Sequence, residues 1–197
     1  MTHTSKAIAL ALLLLLLPPT VLILVHSQAT ATPGAEASIK DLTATTTEND
    51  LIVFGTLAGS FTEEMIEILH SGIPINFSFN IELYRTTKNW PQEQVAAYSF
   101  QHIMAYDTLK ESYRVTLEEE NNRSISFKSL PDAEKMMNDI NGIKIVALDQ
   151  LIPDNQYTIR VKADLFERPM PFNIHNFLPF FSSGNLRLDW HSIEFKY

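Results

Sequence analysis

The stretch Ile73-Pro74-Ile75-Asn76-Phe77-Ser78-Phe79-Asn80-Ile81-Glu82-Leu83 decides the fold class. Its odd positions are all apolar, and from Asn76 onward the even ones are all polar. Successive side chains of an extended chain point to opposite faces, so this alternation describes a long strand with one face in a core. Tyr157, Ile159, Val161, Ala163 and Leu165 repeat the pattern opposite Thr158, Arg160, Lys162 and Asp164. Tyr113, Val115 and Leu117 alternate with Arg114, Thr116 and Glu118, and after Asn121-Asn122 the pattern restarts at Ile125 and Phe127. That is the sequence of a hairpin with a polar turn. Tyr98, Phe100, His102, Met104 and Tyr106 line one side of a further strand. Leu51–Leu57 and Ile143–Leu148 are shorter apolar runs, read as strands buried on both faces.

Two segments have helical period. Ser60-Phe61-Thr62-Glu63 reads as a capping box, followed by Met65, Ile68 and Leu69 on one face and Gly72 as the stop. Ser129, with Pro131 and Asp132 in the first turn, opens a second, in which Ala133, Met136, Met137 and Ile140 recur before Gly142. In the last strand Leu186, Leu188 and Trp190 form one inward set, while Ile193, Phe195 and Tyr197 lie in the opposite phase. A one-residue slip near His191-Ser192 reconciles them, as a β-bulge does. These elements predict a mainly β (α+β), antiparallel, sandwich-like domain of about seven to nine strands with two short helices.

Met1–Lys6 is short and polar, Ala7–Leu17 is apolar without a break, and Val21–Val25 resumes the run after Pro18-Pro19. Small residues around Ala29 and Ala31 then offer a processing site, which makes residues 1–29 a signal peptide or, if uncleaved, a membrane anchor. Residues 30–38, broken by Pro33-Gly34, read as a flexible linker, and 39–197 as a single β-rich domain. The expected location is the periplasm or the outer face of the inner membrane. The formal charge is −8 and no Lys/Arg cluster offsets it, which argues against nucleic acid. The chain has no cysteine, so disulfides, thiolate metal sites and cysteine nucleophiles are excluded.

The order Gly72-Ile73-Pro74, Phe77–Leu83, Trp90, Tyr106-Asp107-Thr108-Leu109, Tyr113, Phe127–Ala133 and Pro169-Met170-Pro171 resembles the exported bacterial family catalogued as domain of unknown function 4390. The resemblance covers roughly residues 40 to 195, and its most specific element is the Tyr106-Asp107-x-Leu109-x-x-x-Tyr113 spacing. It departs at the end of the chain, where a second tryptophan is expected and Phe195 stands. The resemblance implies export and carries no activity. Members that accompany membrane sensor kinases hint at envelope signalling.

No pair of histidines has the spacing of a metal motif, no glycine loop could cradle a phosphate, and neither a cofactor nor a metal is expected. Glu118-Glu119-Glu120 reads as a solvated turn, and His102, inside an aromatic stripe, as a hydrogen-bonded semi-buried side chain. Arg168–Gly184 is far too apolar for a solvated loop. It reads as a cap inside the domain, as a surface for an envelope or membrane partner, or as a lid over an apolar ligand. The expected function is therefore a non-catalytic binding or accessory module. Its candidate surface comprises Met170, Phe172, Phe177, Phe180 and Phe181 together with the Tyr106–Tyr113 corner. Two alternatives stand beside it: a hydrolase-type enzyme centred on Asp189 and His191, and a carrier whose cavity is lined by Phe100, Phe177 or Phe181.

Overall fold

The computed structural model describes residues 37–86, 93–165 and 186–197, all within one compact unit, Pro33–Tyr197. In chain order the elements are β1 (Ser38–Thr46), β2 (Asp50–Ala58), α1 (Glu63–His70), β3 (Ile75–Thr86), β4 (Glu93–Asp107), β5 (Ser112–Leu117) and β6 (Arg123–Phe127). They continue with α2 (Leu130–Asn138), β7 (Asp139–Ala147), β8 (Gln156–Leu165), β9 (Leu186–Arg187) and β10 (His191–Lys196). The described residues thus form two antiparallel sheets: a small one in the order β1-β2-β7, and a large one in the order β10-β8-β3-β4-β5-β6 with β9 also on β8. That is one strand more than the upper expectation, the excess being the two-residue β9.

The predicted alternation sets the two faces of the large sheet. Phe77, Phe79, Ile81 and Leu83 of β3 and Ile159, Val161, Ala163 and Leu165 of β8 are fully buried. They join Ile39, Leu51, Val53 and Ile143 of the small sheet in one core. Between the sheets' edges, α1 contributes Met65 and Leu69, and α2 contributes Ala133 and Met137. The opposite face of the large sheet is polar throughout its centre.

Several expectations are corrected. The cap of α1 is Thr62, whose hydroxyl accepts from the Met65 N–H, whereas Ser60 is buried and donates to Asn138 Oδ1 at 2.5 Å. The stop holds: Gly72 has φ +90°, and the N–H groups of Gly72 and Ile73 bond back to the carbonyls of Leu69 and Ile68. This pair of bonds satisfies carbonyls the helix leaves open. Ile140 lies not in α2 but on β7, opposite Gly55. β2 is not buried on both faces, since Leu51, Val53 and Leu57 are buried but Ile52 and Phe54 only half so and Thr56 is exposed.

A one-residue slip is present near the end of the chain, but upstream of the expected His191-Ser192, which pair in unbroken register with Val161 and Arg160. Arg187 pairs with Asp164 but His191 with Val161, so the three residues between β9 and β10, Leu188–Trp190, stand against two of β8. Its side-chain consequence differs from the expectation. Leu188 is buried, but Trp190 lies on the outer face over Arg160 and Lys162.

Candidate functional site

The outer face of the large sheet is laid out in rows by the strand register. Asp164, Ser78 and Gln101 form one cross-strand row and Lys162, Asn80 and Ser99 the next. Arg160 and Glu82 begin a third. Such neighbours on one face lie close enough to act on a common ligand. With Glu118 at one end and Trp190 at a side, they enclose a hollow of about 470 Å3. Its lining is hydroxyl, amide and charged side chains and one indole, with Phe79 and Phe100 also bordering it.

Trp190 is held from below. The Arg160 guanidinium lies 4.7 Å from its ring centre and 4.5 Å from that of Tyr84, and the Lys162 ammonium is 5.8 Å from the indole. Arg160 in turn donates to Glu82 Oε2 at 2.7 Å and to the Tyr84 hydroxyl at 2.9 Å, and that hydroxyl donates to Glu82 at 3.1 Å. A planar cation with forked donors suits this double role of stacking and bonding. The indole is 39% exposed, so surface remains available while its position is fixed.

A second polar arrangement lies on the core side. His102 is fully buried, with Nδ1 2.9 Å from the Met137 carbonyl and Nε2 2.8 Å from Glu119 Oε1. A carbonyl only accepts, so Nδ1 is the donor there, and a proton lies between Nε2 and the carboxylate. Met137 is in the last turn of α2, where helices leave carbonyls open, so a strand histidine completes the helix end. Glu119 Oε2 is buried and makes no hydrogen bond among the described residues. The expectation for His102 therefore holds in kind, and burial is deeper than expected. Glu119, read as part of a solvated turn, is instead its partner.

The Tyr106–Tyr113 corner is a cross-strand pair with ring centres 4.9 Å apart. His70, the last residue of α1, packs edge-on to Tyr106 at 4.7 Å and its Nε2 lies 2.8 Å from the Tyr113 hydroxyl. Burial, then Tyr106, then the Glu134 carboxylate raise the Tyr113 pKa above its ordinary value, and burial raises that of Glu134. The spacing of the two tyrosines thus joins helix and hairpin, with Tyr113 spent on packing and on His70.

Met170, Phe172, Phe177, Phe180 and Phe181 lie outside the described residues. Asp189 and His191 are both exposed and no hydrogen bond or ion pair joins them; the slip between β9 and β10 separates their phases. Phe100 is committed to the core, stacked on Phe79 at 4.9 Å and 14°. No group of three or more His, Asp or Glu side chains suited to a metal occurs among the described residues, nor any helix long and apolar enough to cross a membrane. The polar hollow escaped the sequence reading because its rows unite residues about eighty positions apart. The one signal was that Arg160, Lys162 and Asp164 share a face with Thr158.

Compared with known proteins, residues 34–194 match the family described as a domain of unknown function, DUF4390. No curated protein and no solved structure matches the chain.

Proposed function

Since the chain belongs to the family DUF4390, a domain of unknown function, we propose from its geometry that it is an exported, non-catalytic binding module that recognises a glycan on the outer face of its large sheet. The observation that carries the reading is Trp190, an exposed indole pinned by Arg160 and Lys162 at the side of a floor of hydroxyl and amide groups. Sugars present C–H faces that stack on aromatic rings and hydroxyls that pair with such a floor, and a fixed ring loses little freedom on binding. The carboxylates of Glu82, Glu118 and Asp164 outnumber Lys162 at the hollow, which favours neutral or amine-bearing sugars over phosphorylated or uronic ones. The apolar run Ala7–Leu17 and the small residues that follow support export, where envelope glycans are found. An accessory role in envelope signalling would follow from reporting that ligand.

The test uses Trp190 as its own reporter in a Trp90→Phe background, titrated with glucosamine and N-acetylglucosamine oligomers. Saturable quenching is expected, weaker for uronic oligomers, and Asn80→Ala or Gln101→Ala should abolish it while leaving the emission of the free protein unchanged. Unsaturable or identical responses to all three sugars would refute the glycan assignment.

A further inference from the structure

A second hollow, independent of the first, lies at the tip of the hairpin between β4 and β5. Asp107 and Ser112 close the hairpin as a cross-strand pair, and Asp107 Oδ1 accepts from the N–H groups of Leu109 and Lys110 at 3.1 and 3.0 Å. This side-chain-to-backbone pattern fixes a turn. Glu111, at φ +46°, brings the chain back. The turn holds Leu109 out at 96% exposure. Beside it, Lys110, Ser112, Ser126, Phe127 and Lys128 line a space of about 380 Å3.

Two lysines and two hydroxyls rim that space, beside the ring of Phe127. The Lys128 ammonium donates to the Lys110 carbonyl at 2.5 Å, which holds it over the hollow with N–H groups to spare. Ser112 is 8% exposed and Ser126 is exposed, and neither hydroxyl makes a hydrogen bond among the described residues, so both are open to a ligand. Arg114 stands nearby, and the negative groups facing the turn are Asp107, 3.9 Å from Lys110 and 3.8 Å from Arg114, and the exposed Glu111. In a chain of net charge −8, three cationic side chains against two carboxylates around two open hydroxyls is a local reversal.

We propose that this hairpin tip docks on an anionic lipid surface, with Lys110, Lys128, Ser112 and Ser126 holding a lipid phosphate and Leu109 entering the acyl boundary. Phosphate alone would explain the lysines and serines but not an apolar side chain thrust out beside them. An apolar anchor next to basic groups is the pattern of peripheral membrane contact. The two basic side chains add attraction that grows with anionic lipid and weakens with salt.

Because the chain contains no cysteine, a single Thr108→Cys can carry an environment-sensitive dye at the tip of the full chain. A matched Ile152→Cys reports from the far end of the sheet, since Ile75 pairs with Met104 near the hairpin but Thr86 pairs with Gln156 near Ile152. Vesicles of phosphatidylethanolamine with phosphatidylglycerol should shift the Thr108 dye to the blue and leave the Ile152 dye unchanged, whatever the N-terminal segment does. Lys110→Gln with Lys128→Gln should weaken the response roughly thirtyfold, about fivefold per lysine. Leu109→Asn should weaken it roughly tenfold. Ser112→Ala should weaken it while retaining its salt dependence. Equal responses from the two dyes, or to phosphatidylcholine alone, would overturn the proposal. Saturation of the tip by inorganic phosphate without vesicles would make it a soluble-anion site, and an equal response to polyglutamate an acidic-polypeptide site; either result overturns the lipid assignment.

Discussion

Replacing His102 by leucine tests whether the His102–Glu119 pair holds helix α2 to the large sheet. The substitution keeps an apolar side chain in the core but removes both hydrogen bonds. The Met137 carbonyl, which closes the end of α2, loses its donor, at a cost of about 1–3 kcal/mol. Glu119, only 11% exposed, loses the bond to Oε1 while Oε2 already lacks one. Leaving the buried carboxyl group of Glu119 without its partner adds a penalty of the same kind, for a total of about 3–5 kcal/mol. With a urea dependence of about 2 kcal/mol per molar, the unfolding midpoint should fall by about 2 M. The double variant His102→Leu with Glu119→Leu removes both members and leaves only the Met137 carbonyl unpaired. It should recover about 2 kcal/mol of the loss, because replacing both partners is far milder than orphaning one. Urea unfolding followed by far-ultraviolet circular dichroism, read as a double-mutant cycle, decides it. A loss below about 1 kcal/mol in the single variant, or strictly additive losses in the double, would refute the account.

Other changes follow from the same geometry. Thr62→Ala should cost about 1 kcal/mol by uncapping α1, and Thr62→Ser should restore most of it in the same unfolding assay. Gly142 has φ +67° within β7 and faces the Phe54 ring, so Gly142→Ala should lower the midpoint by about 1 kcal/mol while Gly→Asn costs less. Glu134 has a raised pKa in the folded state, so folding binds its proton more tightly and stability falls as pH rises from its unfolded towards its folded pKa. Glu134→Gln should remove that decline. It should also let Tyr113 ionise at lower pH, read as tyrosinate absorbance against a Tyr113→Phe control.

The sequence revealed most where alternation ran unbroken. β3 and β8 are legible because every second residue faces one core, and the slip in the last strand is legible because its two halves disagree in phase. β1 was invisible for the opposite reason. Its register shifts between Lys40 and Thr43, with Asp41 at φ +52°, so Ile39 and Leu42 both reach the core three residues apart. A spacing of three imitates no strand. Ile140 misled in the other direction, since Ala133, Met137 and Ile140 are all fully buried at helical intervals although the helix ends at Asn138. Serine at position 60 and threonine at 62 are equally good caps by type, and only the burial of Ser60 against Asn138 separates them. The polar hollow and the His102–Glu119 pair depend on which strand lies beside which, information no local window contains. The Tyr106–Tyr113 spacing marked a cross-strand pair, but its neighbour His70 comes from a different element.

The extra residue at Leu188–Trp190 makes the end of the chain a splice between two independent frames. Upstream, the frame follows Asp164 and Leu165; downstream, it follows Tyr157 to Val161. Shortening the splice by one position would join the two frames into one, with the indole opposite Lys162 and still on the outer face. A one-residue change in length at this point would therefore be absorbed by the splice, leaving both pairing frames and the face of the indole as they are.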